Sequence, residues 1–248
     1  MTLNSKAEVV AKLRPAIAMV EDVSLPRPGD RKIGDSIVGT AFVADVRGYL
    51  LTAKHVVRGL RAKDLELRTT YSAQEKDGYA MRHLSISAIY LHPFDDVAVL
   101  ATKISIPPAR AILPRATGDA LVGSDVLLMG YAVGTDLVFC DDVLGAGSAK
   151  SYSPVAFTGM ICARIPDDGR QLELLAYDCT TFAGNSGAPV VSIETGQIIA
   201  LHLRGFENHV GYGIPIDRCM QFVETVAEVH EGQKVRQREA RTARRLSR

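Results

Sequence analysis

Three residues of this chain have the types, neighbours and order that nucleophilic catalysis needs. Ser186 stands in Gly184-Asn185-Ser186-Gly187-Ala188-Pro189, where small residues let the backbone fold sharply and aim its own N–H groups at a substrate. A serine hydroxyl is a weak nucleophile until a histidine takes its proton, and that histidine needs an acid to hold its tautomer. A histidine lies upstream in Leu51-Thr52-Ala53-Lys54-His55-Val56-Val57, and an acid in Asp96-Val97-Ala98-Val99-Leu100. Histidine, aspartate, serine is one of three chain orders in which unrelated folds build such a triad. Asp95 sits beside Asp96. Neighbours in a strand face opposite ways, so only one of the two can reach His55.

Composition narrows what surrounds these residues. The chain has 248 residues, 47% apolar, with a net charge of +1. That is one large domain or two small ones, with ample material for a core. The balanced charge points to no polyanionic partner, so no nucleic acid is expected. The longest apolar stretches, near 125–130 and 197–201, fall short of the roughly 20 residues of a membrane span, so no membrane partner is expected. Met1-Thr2-Leu3-Asn4-Ser5-Lys6-Ala7-Glu8 lacks the charged-then-apolar pattern of a secretory signal, which points to the cytoplasm. Cys140, Cys162, Cys179 and Cys219 are not clustered as metal knuckles are, and a cytoplasmic setting favours buried free thiols over bridges. No pair of histidines shows metal-ligand spacing. Neither a metal nor another cofactor is expected.

The elements that must position the three residues are mostly strands. Ser5 with Glu8 is a capping-box pattern for a short helix ending near Leu13, inside an N-terminal segment 1–15 closed by Pro15. Short apolar runs follow at 16–20, 37–44, 48–53, 64–70, 81–91 and 96–101, split by turn residues. Leu84, Ile86 and Ala88 alternate with His83, Ser85 and Ser87, the period of a half-buried strand. A proline-bearing stretch over 106–118 reads as a linker between halves. Further runs occupy 125–131, 155–163, 172–178, 188–193, 197–204 and 211–216. Many short strands at this spacing predict an all-β barrel or sandwich. A helix is expected over 217–232, with Cys219, Phe222, Val223, Val226 and Val229 on one face. Residues 233–248 are basic and read as a disordered tail, the alternative being an arm for a regulatory protein partner.

Five fragments, in order, resemble the chymotrypsin-fold (trypsin-like) serine peptidases, in the bacterial branch with the HtrA-like proteases and glutamyl endopeptidases. They are Gly39-Thr40-Ala41-Phe42-Val43, Thr52-Ala53-Lys54-His55-Val56, Asp96-Val97-Ala98-Val99-Leu100, Gly184-Asn185-Ser186-Gly187-Ala188-Pro189 and Gly211-Tyr212-Gly213-Ile214-Pro215-Ile216. The resemblance covers about 16–225. It implies two six-stranded antiparallel β-barrels, one over 16–105 with His55 and Asp96, the other over 119–216 with Ser186. It also implies that His55, Asp96 and Ser186 form the triad of a serine endopeptidase acting on polypeptides. The N–H groups of Gly184 and Ser186 would make the oxyanion hole. The pattern Asp-(Ile/Val)-Ala favours Asp96 over Asp95, which is then expected to be a solvated or capping carboxylate.

The chain also departs from the family. Asn185 stands where animal zymogens carry the aspartate that binds a freshly cut N-terminus, so that switch is expected to be absent. Val56 follows His55, without the flanking cysteines of the animal enzymes. No PDZ domain is expected after the barrels, which weakens the expectation of an HtrA-type quality-control role. The resemblance places the specificity pocket at Thr180, Thr181, Phe182, 200–204 and 211–214, with Thr180, Thr181, His202, Gly211 and Gly213 as substrate-binding residues. Thr180 at the pocket base, where trypsin-like specificity needs an aspartate, argues against Lys or Arg. Thr181 and His202 match positions that bind a substrate carboxylate in glutamyl endopeptidases, since a hydroxyl and an imidazole can satisfy an anion together. The readings left open are Glu or Asp, or a small uncharged residue, before the scissile bond. A non-catalytic, protein-binding version of the fold is the alternative function.

Overall fold

The run Val97-Ala98-Val99-Leu100-Ala101 shows how this sequence builds its fold. Every residue of it is buried, because each face of the strand meets a different core. Ala98 and Leu100 point into one barrel, with Val20, Val43, Leu50 and Leu67. Val97, Val99 and Ala101 point out of it, onto a core shared with Leu127, Met129, Val191 and Leu201 of the other half. The structure, a computed structural model, describes residues 5–24, 37–72, 79–103, 120–132, 139–140, 151–152, 154–167, 172–206 and 209–246.

The first half supplies β1 (Ile17–Asp22), β2 (Ile37–Val43), β3 (Tyr49–Ala53), β4 (Leu65–Ser72), β5 (Tyr79–Leu91) and β6 (Val97–Thr102). These close into an antiparallel barrel in the order β1-β2-β3-β6-β5-β4. In the second half are β7 (Asp125–Gly130), β8 (Phe139–Cys140), β9 (Ser151–Tyr152), β10 (Val155–Asp167), β11 (Leu172–Tyr177), β12 (Pro189–Ser192), β13 (Ile198–Phe206) and β14 (Val210–Pro215). β8 and β9 pair as a separate small sheet, and the other six close as β10-β11-β14-β13-β12-β7. The fold is thus the pair of six-stranded barrels that the resemblance implies. Val126, Leu128, Leu175, Tyr177, Val190 and Ala200 fill the second barrel.

Helices close the shared core. In α1 (Lys6–Leu13) the Ser5 hydroxyl accepts the Glu8 N–H and the Glu8 carboxylate accepts the Ser5 N–H, while Val9 and Leu13 bury themselves between the barrels. A single turn, α2 (Lys54–Val57), follows β3. α3 (Ile216–Leu246) packs Cys219, Val223 and Val226 onto the shared core. It runs past the expected end at 232 and through the basic stretch expected to be disordered. The physical reason is composition: beyond Gly232 that stretch has no glycine or proline and is rich in Arg, Gln, Lys, Glu and Ala, all good helix formers. The expected linker at 106–118 lies outside the described residues. Cys179 and Cys219 are buried free thiols, and burial pushes Cys179 up to about 12. Cys162 corrects the expectation of buried thiols, since it is exposed where β10 bulges between Ile161 and Ala163. The side chain of Cys140 lies outside the description. Among the described residues no helix is long and apolar enough to cross a membrane.

Candidate active site

Strand register brings the first two residues together. Ala53, the last residue of β3, pairs with Val97, the first of β6. One residue beyond each lie Lys54 and Asp96, and the Lys54 N–H bonds the Asp96 carbonyl at 3.2 Å. The chain then turns into α2, which points His55 back at Asp96. Both carboxylate oxygens are engaged: Oδ1 accepts the His55 backbone N–H at 2.8 Å, and Oδ2 lies 2.6 Å from His55 Nδ1. Partial burial pushes the Asp96 pKa up, but the bonds from the His55 ring and backbone outweigh it, and the net shift is down. Asp96 is therefore ionised at neutral pH, and its geometry holds the His55 proton on Nδ1.

Asp95, in the bend just before β6, turns away from His55, but it is not the solvated or capping carboxylate expected. It is 1% exposed, and its Oδ2 accepts a bond from Arg218 Nε of α3 at 2.9 Å. Its backbone N–H donates to His92 Nδ1 at 2.8 Å. That nitrogen is thus an acceptor, and burial holds the His92 pKa below its usual value. The 3.3 Å approach of His92 to Asp95 Oδ2 is then not an ion pair. No local feature of the sequence marks an arginine 123 positions away as the partner of this loop. Arg218→Met is expected to cost about 3 kcal/mol of folding stability, because it strands a buried carboxylate. Asp95→Asn added to Arg218→Met should restore most of it. Urea unfolding of the two variants checks this, and equal losses in both would disprove the pairing.

The Ser186 loop is fixed from the first barrel. Thr40 of β2 is its anchor: its N–H donates to the Ser186 carbonyl at 2.9 Å and its hydroxyl to the Gly184 carbonyl at 2.7 Å. The Tyr131 N–H in turn donates to the Thr40 hydroxyl at 2.9 Å. In the sequence Thr40 stands out only as part of the motif Gly39-Thr40-Ala41-Phe42-Val43. Gly184 has φ +88° and Gly187 φ +87°, values a side chain resists. At Gly187 a Cβ would also come 2.1 Å from the Thr40 carbonyl oxygen. Among the described residues neither the Gly184 N–H nor the Ser186 N–H has an acceptor, the condition for a pair of donors awaiting an anion. The Ser186 hydroxyl donates to the Leu203 carbonyl at 2.9 Å rather than to His55. Asn185 is 0% exposed, and both polar atoms of its amide lack partners among the described residues.

Thr180 is half-buried and Thr181 buried. Thr181 packs against Gly205, where a Cβ would come 1.7 Å from its hydroxyl oxygen. His202, on β13, is 1% exposed and lies opposite Gly213 of β14. Its Nδ1 is 2.5 Å from the hydroxyl of Tyr177, a residue the sequence reading did not single out. Gly211 pairs across the sheet with Tyr177 and makes room for its ring: a Cβ there would come 2.3 Å from Cε2. Gly211 and Gly213 thus leave the space that the Tyr177 side chain fills. Burial, reinforced by the field of His55, pushes the His202 pKa down to about 3.

Two antiparallel barrels with a histidine–aspartate pair on one and a serine loop with free N–H groups on the other define the architecture of a trypsin-like peptidase. Comparison agrees: residues 39–201, well over half the chain, match the trypsin-like peptidase domain, and the chain belongs to that family. It is 27% identical over 189 residues to Protease Do-like 1, chloroplastic, of Arabidopsis thaliana, covering 72% of this chain and 37% of that one. It is 26% identical over 239 residues to Serine protease HTRA4 of Homo sapiens, covering 93% and 42%. The chain spans less than half the length of these curated relatives. Among solved structures it resembles the HtrA-type protease AlgW with decapeptide, with a TM-score of 0.62 and 20% identity over 90% of this chain and 68% of that one.

Proposed function

We propose that the chain is a serine endopeptidase that hydrolyses peptide bonds through His55, Asp96 and Ser186, with no cofactor. The observation that carries this reading is the two-point grip of Asp96 on His55, which leaves Nε2 free to accept a proton. In the first step Ser186 Oγ bonds to the scissile carbonyl carbon, and its proton passes to His55 Nε2. The carbonyl π electrons move to the oxygen, and the resulting anion is met by the N–H groups of Gly184 and Ser186. Each well-aimed donor lowers the barrier by about 3 kcal/mol. His55 then protonates the leaving amine, an acyl-serine remains, and water releases the acid by the same steps. The Ser186 hydroxyl must first turn from the Leu203 carbonyl towards His55, a rotation about one side-chain bond. Catalytic hydrogen bonds are often unformed before substrate arrives.

That same contact favours the second reading, a protein-binding module whose serine is held off its base. A fluorophosphonate probe separates the two. The peptidase is labelled at Ser186 and cleaves peptides, whereas the module does neither. Asn185 supports a further expectation: being neutral, it offers no charge for a new N-terminus, so the chain should be active without N-terminal trimming. Mass measurement before and after assay checks this, and activity found only in a trimmed form contradicts it. Removing 233–248 tests whether the basic part of α3 serves a regulatory partner instead of catalysis.

For the pocket, His202 and Thr181 remain the residues that meet the side chain before the scissile bond. A neutral, buried imidazole lacks the charge that would best hold Glu or Asp, so the support favours an uncharged side chain.

A further inference from the structure

The hydroxyl of Tyr177 has one hydrogen-bond acceptor among the described residues, His202 Nδ1 at 2.5 Å. The tyrosine is wholly buried, and burial holds its pKa well above the usual value, so the hydroxyl keeps its proton. A buried O–H left without an acceptor is costly. The bond therefore runs from Tyr177 to His202. Nδ1 uses its lone pair, and the ring proton must sit on Nε2. The two ring nitrogens point apart, so with Nδ1 turned into the barrel, Nε2–H is directed away from Tyr177. His202 Nε2 has no partner among the described residues. Among the described residues, the ionisable groups whose fields reach this pair are His55 and Cys179, and neither supplies a negative charge to draw a second proton onto the ring while Cys179 stays a thiol.

We propose that Tyr177 is the positioning residue of the specificity pocket: by fixing His202 as a neutral Nε2–H donor, it makes the pocket select glutamine before the scissile bond. The proposal rests on the reading of His202 as a pocket residue and names the substrate class. Protonating His202 would turn Nδ1 into a donor facing the tyrosine O–H, which would then lose its acceptor. Tyr177 thus works against the imidazolium that a bound carboxylate needs. A side-chain amide asks for no counter-charge. Its carbonyl oxygen accepts from Nε2–H, and its NH2 group can donate to the Thr181 hydroxyl, which makes no hydrogen bond among the described residues. A site built around a hydrogen-bonding donor rejects side chains that cannot use it.

The test profiles the purified full chain against peptides varied at the residue before the scissile bond, with Ser186→Ala as blank. Glutamine is expected to exceed alanine by at least about tenfold in kcat/KM, and to exceed glutamate. Tyr177→Phe keeps the ring over Gly211 and removes only the hydroxyl. It should cut the glutamine-over-alanine ratio by about tenfold. A merely structural loss would lower both substrates together. In parallel, nitrogen-15 NMR of His202 should show a protonated Nε2 and a bare Nδ1 from about pH 5 to 8, with no titration. Tyr177→Phe should disturb that pattern. The proposal is overturned by a proton on Nδ1, by His202 titrating in that range, by glutamate exceeding glutamine, or by an unchanged ratio in Tyr177→Phe. Failure of the peptidase reading shows separately, as no cleavage of any peptide above the blank, while the nitrogen shifts still judge Tyr177.

Discussion

Replacing Ser186 by alanine is expected to lower kcat by about six orders of magnitude while leaving both barrels folded. The change removes one hydroxyl. In the resting structure that hydroxyl makes a single bond, to the Leu203 carbonyl. Stability should therefore shift by no more than about 1 kcal/mol. The loop itself is held by backbone atoms, through Thr40 to the carbonyls of Gly184 and Ser186, and alanine leaves those bonds in place. The two backbone donors also persist, so a small rate above that of water should survive. Turnover of a peptide mixture and labelling by a fluorophosphonate are the measurements, with thermal unfolding as the control. A folded Ser186→Ala variant that still cleaves at an undiminished rate assigns the chemistry elsewhere.

The parts of this site that lie within one element were legible in the sequence. Gly184 and Gly187 announce a sharp turn around Ser186, and the turn exists with both glycines at positive φ. Local sequence says only that one of Asp95 and Asp96 can reach His55; the family pattern favours Asp96, and the structure gives the two carboxylates different partners. The strands were readable from apolar runs, whereas their closure into barrels was not. The reason lies in β6 and strands like it. Buried on both faces, they show no polar alternation to say which side faces which core. Closure was supplied by the family resemblance.

What escaped the sequence depends on contacts between distant segments. Arg218 meets Asp95 only because α3 folds back across the shared core, and nothing in its local sequence marks that partner. Tyr177 looks like one more apolar strand residue until β11 is placed beside β14. Only then do Gly211 and Gly213 become the seat of its ring. Thr40 is similar: a threonine in a strand reads as surface or core, but here it ties the serine loop to the other barrel. The end of α3 failed for a different reason. A dense run of like charge reads as a solvated tail, although the residues between Gly232 and Leu246 are strong helix formers.

Asp96→Asn is expected to lower kcat by about 10⁴ with little change in stability, and the structure dictates how. The carboxylate accepts two bonds from His55, one from the backbone N–H and one from the ring. An asparagine has one oxygen for these two donors. The backbone N–H cannot become an acceptor, so it claims the amide oxygen. The NH2 group must then face Nδ1, and the ring can meet it only by giving up its Nδ1 proton. That proton moves to Nε2, the nitrogen that has to receive the proton of Ser186. The base is thus blocked by its own tautomer, and the imidazolium also loses the negative charge that would stabilise it. Substrate binding is untouched, so KM should hold while kcat falls. Nitrogen-15 NMR of His55 in the variant should show the proton on Nε2. A fall of less than about tenfold, or a ring that keeps its proton on Nδ1, would mean that Asp96 does not orient the catalytic histidine.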